Sequence, residues 1–285
     1  MNTVWSTYLQ KIGLLYLTRQ LRFDERFKEN YICLFNIANA DNILEIGAGP
    51  GALTQALHRW YPNAKVIGSD RDTNFVEFAK TQAPDIEFVE ADITSLPFGD
   101  GSFEVTISNT VQEHVTPDSF FGEQYRVLKP GGVCLVLSGR GHRAINYSVN
   151  EISDFEKEIW QRTDKDYKAM DEKYAVCKYG CSEQELPKIM SEYGFKDIQT
   201  HYITTNLTPD SAQYDKEFAF KMIEANRSVD LDALEYIPGI FTDEEILKLM
   251  ELINFRYDKR IEQYKQGIKL WDTNVSLTMI VRGVK

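Results

Sequence analysis

Long hydrophobic runs are missing from this 285-residue chain; the longest sheet-like one, Val133 to Leu137, is far short of the ~20 residues a membrane helix needs. No membrane partner is expected. The start, Met1-Asn2-Thr3-Val4-Trp5, lacks the basic stretch and small-residue cleavage site of a signal peptide, so the expected location is cytoplasmic. Cysteine is scarce, with Cys33, Cys134, Cys177 and Cys181 the full set. Only the last two are close, and a single Cys-x3-Cys pair is a poor zinc signature; no metal is expected, and free thiols in a reducing compartment are. Excess basic charge is also absent. Lys plus Arg number 32 against 43 Asp plus Glu, a net −11 that divides evenly into −5 for residues 1–140 and −6 for 141–285. Proteins that grip phosphate backbones concentrate basic charge, so nucleic acid is disfavoured as a partner. Composition gives no indication of oligomeric state.

What is present is an ordinary globular composition, 43% apolar and 26% charged, which can bury a real core. Residues 1–40 read as helical, with Trp5, Tyr8, Leu9, Ile12, Leu15 and Tyr16 at three- and four-residue spacings. From Asn42 to Leu137, short β-branched runs (Ile43–Ile46, Lys65–Ser69, Ile86–Glu90, Phe103–Ser108, Val133–Ser138) alternate with helical stretches near Gly51–Trp60, Thr73–Gln82 and Pro117–Leu128. Thr116-Pro117 marks the last helix start, a capping hydroxyl followed by proline where no amide partner is needed. Alternation at this spacing means βαβ units on a parallel sheet, hence an α/β fold. Later come a helix near Ile152–Arg162 and a Ser182/Glu185 capping box ahead of a helix ending at Gly194. Two strand-like stretches, Phe195–Thr205 and Asn274–Val281, enclose about sixty helical residues that include a second box at Thr242/Glu245. No repeat, low-complexity tract or linker intervenes. One domain over 1–285 is expected: a helical lid at 1–40, a ligand-binding core at 41–138, helical cap insertions at 139–181 and 207–270, and a last strand at 271–285.

The strand Ile43–Ile46 runs straight into Gly47-Ala48-Gly49-Pro50-Gly51 and then a helix. Glycines suit such a loop because the chain turns sharply and its backbone must approach a ligand without Cβ atoms in the way; the helix amino terminus adds free amides. Gly47, Gly49 and Ala52 also satisfy the loose dinucleotide pattern G-x-G-x-x-G/A, so a nicotinamide-dependent oxidoreductase is one alternative. Asp70, 23 residues after Gly47 at the end of the second strand, is placed to accept ribose hydroxyls. Asp92-Ile93 follows the third strand where an adenine edge would lie, and Leu128-Lys129-Pro130-Gly131-Gly132 turns tightly into the fifth.

In that order and spacing, Ile43-Leu44-Glu45-Ile46-Gly47-Ala48-Gly49-Pro50-Gly51, Ser69-Asp70, Ala91-Asp92-Ile93-x3-Pro97-Phe98 and Leu128–Gly132 resemble the class I S-adenosylmethionine-dependent methyltransferases, in the methyltransferase-11-like branch that acts mostly on small molecules. The resemblance covers about residues 40–138. It implies a Rossmann-like, seven-stranded, mostly parallel sheet with an antiparallel last strand, and S-adenosylmethionine at the carboxyl ends of the strands. By position, Glu45, Gly47, Ala48, Gly49 and Gly51 would hold the methionine portion and Asp70 the ribose. Arg71, Asp92 and Ile93 would lie on the adenine, and Asn109 beneath the sulfonium. Arg19 and Arg22 would meet the cofactor carboxylate from the lid, an anion that an arginine fork suits, with Tyr8 beside them.

For chemistry, His114 one turn past the fourth strand is the first choice as base or substrate contact; packing or loop fixing is its other reading, and Glu113 and His142 rank behind it. After the fourth strand, Asn109-Thr110-Val111-Gln112 is neither the Asn-Pro-Pro-Tyr of amino methylases nor the Pro-Cys of cytosine-5 methylases. Acids for a catechol-type magnesium site are lacking as well. The expected function is methyl transfer to a small-molecule acceptor, within a closed cavity roofed by both insertions with His114 on its wall. A non-catalytic cofactor-binding scaffold and a macromolecular acceptor are the alternatives. The acceptor atom (oxygen, nitrogen, sulfur or carbon) is left open.

Overall fold

The computed structural model describes residues 3–141, 145–147, 152–235 and 239–285. Eight strands form one sheet: β1 (Asn42–Ile46), β2 (Lys65–Asp70), β3 (Glu87–Glu90), β4 (Phe103–Asn109), β5 (Leu128–Gly139), β6 (Ile145–Tyr147), β7 (Lys196–Asn206) and β8 (Thr273–Val284). The order runs β3-β2-β1-β4-β5-β8, with β7 on the other edge of β8; β1 to β5 are parallel, and β8 is antiparallel to its neighbours. The extra strand relative to the expected seven is β6, which continues the line of β5 along the same edge of β8. Gly139 faces Thr278 and Ile145 faces Val275.

Alternation in the strands explains their near-continuous apolar runs. Leu135 and Leu137 enter one core with α1 (Ile12–Arg22), α2 (Lys28–Phe35) and α3 (Ala52–Trp60). Cys134 and Val136 enter the other, with α5 (Pro117–Val127) and α7 (Glu185–Glu192). Both faces are covered, the arrangement a parallel sheet requires. The helix α4 (Thr73–Gln82) packs on β2 and β3 through Val76, Ala79 and Phe88.

The insertions build a core of their own. α6 (Asp154–Lys173), α8 (Lys216–Ala233) and α9 (Asp243–Lys265) bury Ile159, Leu234, Leu249 and Ile253 together. Arg256 bridges Glu156 of α6 and Asp230 of α8, and Arg260, wholly buried, joins Asp210 to Asp272 and so fixes α9 to the start of β8. The Thr242/Glu245 box caps α9 as read, and Ser153/Glu156 forms another at α6; Ser182 and Glu185 exchange the same two hydrogen bonds, but α7 starts later, at Glu185, with Gln184 as its N-cap. α6 runs to Lys173, eleven residues beyond the expected Arg162. Thr116 departs from the expectation: its hydroxyl donates to the Ser119 hydroxyl instead of capping a backbone amide, and Pro117 alone sets the helix start. No described helix is long and apolar enough to cross a membrane.

Candidate active site

The loop Gly47 to Gly51 leaves β1 between two protein walls, and each glycine answers a different constraint. A Cβ on Gly47 would sit 2.3 Å from Val111 Cγ2, and one on Gly51 would press on the Phe88 ring at 2.9 Å. Both have positive φ, +68° and +87°, so the backbone also favours glycine there. Gly49 differs: at φ +54° its Cβ would meet only Leu15 at 3.6 Å, so its open side faces the cavity. Close approach to a ligand therefore explains Gly49, while Gly47 and Gly51 are imposed by neighbouring side chains. Gly51 does not line the cavity.

That cavity, about 560 Å³, lies at the carboxyl ends of β1, β2 and β4, within the ~300–1,000 Å³ typical of small-ligand sites. Of the sequence-predicted residues it brings together Arg19, Glu45, Gly47, Ala48, Gly49, Asp70, Arg71, Asp92, Ile93, Asn109 and His114. Two fall elsewhere. Tyr8 is 44% exposed and stacks on Tyr174 of the cap, away from the cavity. Arg22 lies one turn beyond Arg19 and lines a separate, smaller cavity. His142 lies outside the described residues.

Asp70 organises the loop as well as facing the cavity. Oδ2 accepts the Gly49 amide at 2.7 Å, and Oδ1 accepts the Asp72 amide at 2.8 Å. Burial pushes its carboxyl up to about 6 against the stabilising pull of these two amides. Glu45 is buried at the base of the cavity with the Thr54 hydroxyl donating to it; burial raises it to about 8, so it holds its proton at neutral pH. Arg19 reaches across from α1 to donate to Thr110 Oγ1 at 3.2 Å, and burial lowers it to about 9, which leaves it charged.

His114 is tied into the wall. Its Nδ1 accepts the Cys177 amide at 3.0 Å, and its ring packs edge-on against Trp5. The accepted amide places the neutral ring's proton on Nε2. Burial lowers its pKa to about 4. A neutral ring whose lone pair is already engaged cannot take a proton from an acceptor; the geometry favours loop fixing over the base role. The neighbouring Glu113 is the opposite case. Its Oε2 is buried with no hydrogen-bond partner among the described residues, it lines the cavity, and burial raises its pKa.

The lid and cap contribute residues that the sequence pattern did not indicate. Trp5, Gln10 and Leu15 close the cavity from the N-terminal side, and the Ser6 amide and hydroxyl both donate to Asp72. Among the described residues of the cap, only Val176, Cys177 and Tyr179 reach the cavity, and none of 207–235 or 239–270 lines it. The second insertion instead stands behind α1, where Lys11 pairs with Asp232 and Glu235. The expected two-part roof is thus the lid plus the end of the first insertion. Thr110, at φ +55°, is a β-branched residue in the left-handed region, a strained position that no sequence pattern announces.

Comparison with known proteins agrees with this architecture. A family model described as a methyltransferase domain matches residues 44–136. A ubiquinone/menaquinone biosynthesis C-methyltransferase of Desulfotalea psychrophila is 34% identical over 117 residues, 40% of this chain and 48% of that protein. A demethylmenaquinone methyltransferase of Thermus thermophilus is 34% identical over 128 residues, 42% of this chain and 58% of that protein. The chain thus spans about half the length of the curated relatives it matches. Among solved structures, a Haemonchus contortus phosphoethanolamine N-methyltransferase 2 in complex with S-adenosyl-L-methionine superposes with TM-score 0.55 at 17% identity, covering 99% of this chain and 59% of that one. The sheet order, the glycine loop and the acid at the end of β2 agree with these likenesses, which show a methyltransferase domain over residues 44–136.

Proposed function

We propose that the protein transfers a methyl group from S-adenosylmethionine to a small-molecule acceptor by in-line displacement. The observation that carries this reading is the 560 Å³ cavity that joins Gly49, Asp70, Asp92 and Asn109 at the strand ends and is lined on one side by the lid. The donor set fits the cofactor. Gly49 leaves space that a Cβ would fill, Asp70 offers a carboxylate beside it, and Ile93, 7% exposed, gives an apolar wall next to Asp92. When bound, S-adenosylmethionine supplies an electrophilic methyl on a sulfonium. The chain's own residues position and dry the site: Asp70 takes the ribose hydroxyls, Arg19 meets the carboxylate, and Trp5 and Leu15 exclude water. Glu113, with its free buried oxygen, is the group that accepts the acceptor's proton, and His114 holds the 176–179 segment over it. A cavity of this size under a lid, in an acidic protein, suits a small acceptor over a polymer. The Desulfotalea psychrophila relative is a C-methyltransferase, which makes carbon one acceptor atom to test. The four free thiols suit a reducing compartment, so we place the protein in the cytoplasm.

Methyl release from labelled cofactor across an acceptor panel tests the activity; cofactor binding without turnover on any acceptor would favour the scaffold reading. Calorimetry with S-adenosylhomocysteine tests the site. Its affinity is expected to be flat above about pH 7 and to fall as pH drops through about 6, where Asp70 gains a proton and loses an acceptor oxygen. Asp70→Ala is expected to weaken binding by about 1–3 kcal/mol and to flatten that profile. Wild-type affinity in this variant would remove Asp70 from the ribose.

A further inference from the structure

Arg22 is a half-buried cation without a counter-ion among the described residues. It belongs to the last turn of α1, yet its side chain has neither a hydrogen bond nor a carboxylate within ion-pair distance among the described residues. It lines a second cavity of about 210 Å³ together with Arg19, Tyr31, Asn109, Thr110 and Ser276. The Ser276 hydroxyl there is buried and equally without a partner among the described residues. Tyr31 is no counter-ion: its hydroxyl lies 3.4 Å from Thr205, and burial raises its pKa, so it stays neutral. Glu113 and Glu45 act on Arg19, and Arg140, on the neighbouring strand end, is engaged with Cys181 and Met279. The carboxyl-terminal end of α1 offsets part of the cost of burying a guanidinium, but a helix end is a partial charge against a full one.

We propose that this second cavity is the anion subsite of the methyl acceptor: the acceptor carries a carboxylate or phosphate that seats on Arg22 and Ser276, while its reacting atom passes Asn109 and Thr110 into the cofactor cavity. The inference rests on the methyltransferase reading and names its substrate class. Three placements support it. The two cavities share Arg19, Phe23, Asn109 and Thr110, so a ligand can bridge them at the end of β4. None of Gly47, Gly49, Asp70 or Asp92 lines the second cavity, which separates it from the cofactor's contacts. Its volume is below that of sites for whole drug-sized ligands, and fits one charged end of a molecule. A planar guanidinium whose donors have no partner among the described residues is matched by a two-oxygen face, which carboxylate and phosphate both present.

The test is calorimetric titration of the full chain with acetate, inorganic phosphate and pyrophosphate, each with and without saturating S-adenosylhomocysteine. At least one anion is expected to bind saturably alongside S-adenosylhomocysteine, and which one separates a carboxylate from a phosphoryl acceptor. Arg22→Gln is expected to weaken that anion by roughly tenfold or more while the S-adenosylhomocysteine Kd stays within about twofold; Arg22→Lys, which keeps charge but loses the fork, is expected to fall between. If Arg22→Gln fails to fold, the lysine variant carries the comparison. Absence of saturable binding for all three anions, unchanged anion affinity in the variants, or displacement of the anion by S-adenosylhomocysteine would each overturn the proposal. Failure of S-adenosylhomocysteine itself to bind would strike the methyltransferase reading instead, and the titrations without it still report on Arg22.

Discussion

Gly47→Ala is expected to destabilise the protein by about 2–6 kcal/mol, combining roughly 1–3 for a non-glycine residue held at positive φ with roughly 1–3 for overpacking. The second component is specific, because the new methyl would lie 2.3 Å from Val111 Cγ2. A domain of ordinary stability has only ~5–15 kcal/mol to lose, so the variant should unfold at a markedly lower denaturant midpoint. The pair Gly47→Ala/Val111→Ala removes the clash and leaves the backbone strain; about half of the loss should return. Gly49→Ala makes the contrast. It has the strain, φ +54°, but open space on its cavity side, so the fold should survive with a cost of roughly 1–3 kcal/mol. Cofactor affinity should fall far more than stability does. Equal effects of the two substitutions on stability would refute the division between a glycine the protein needs and one the ligand needs.

That division also shows where the sequence is legible. A strand, a glycine loop, a helix and an acid 23 residues after Gly47 are all local relations, fixed by short-range geometry, and Gly49, Asp70, Asp92 and Ile93 are found together at the strand ends as their spacing predicts. The reasons behind individual residues are not local. Gly47 is constrained by Val111 and Gly51 by Phe88, both on other strands or loops, so one motif carries several unrelated physical demands. Arg19 and Arg22 look equivalent by pattern, yet one helical turn separates the cofactor cavity from its neighbour. The cap is the hardest part. α6, α8 and α9 pair through contacts about a hundred residues apart, such as Arg256 with Glu156, and periodicity cannot say which apolar stripe meets which. The second insertion therefore buttresses α1 where a roof was expected, and the roof comes from Trp5 and the 176–179 segment.

The same long-range contacts decide the chemistry. His114 and Glu113 are adjacent in sequence, and a histidine past β4 is the more attractive base on residue type alone. The Cys177 amide, 63 residues away, occupies the histidine's lone pair, while Glu113 Oε2 is left without a partner at the cavity wall. Glu113→Gln is therefore expected to lower kcat by about 10²–10⁴-fold on the acceptor found by panel assay, the usual contribution of a positioned base, with the S-adenosylhomocysteine Kd within about twofold of wild type. The pH profile supplies an independent check. The carboxylate is the form that accepts a proton, and burial raises its pKa, so the wild-type rate should climb with pH through that raised value. The climb should vanish in the glutamine variant, whose amide does not titrate. His114→Asn keeps an oxygen acceptor for the Cys177 amide and should retain most of the rate, whereas His114→Ala releases the 176–179 segment and should lose up to about tenfold with the wild-type pH profile intact. A glutamine variant with wild-type turnover, or an alanine variant at 114 that abolishes the pH limb, would return the base role to the histidine.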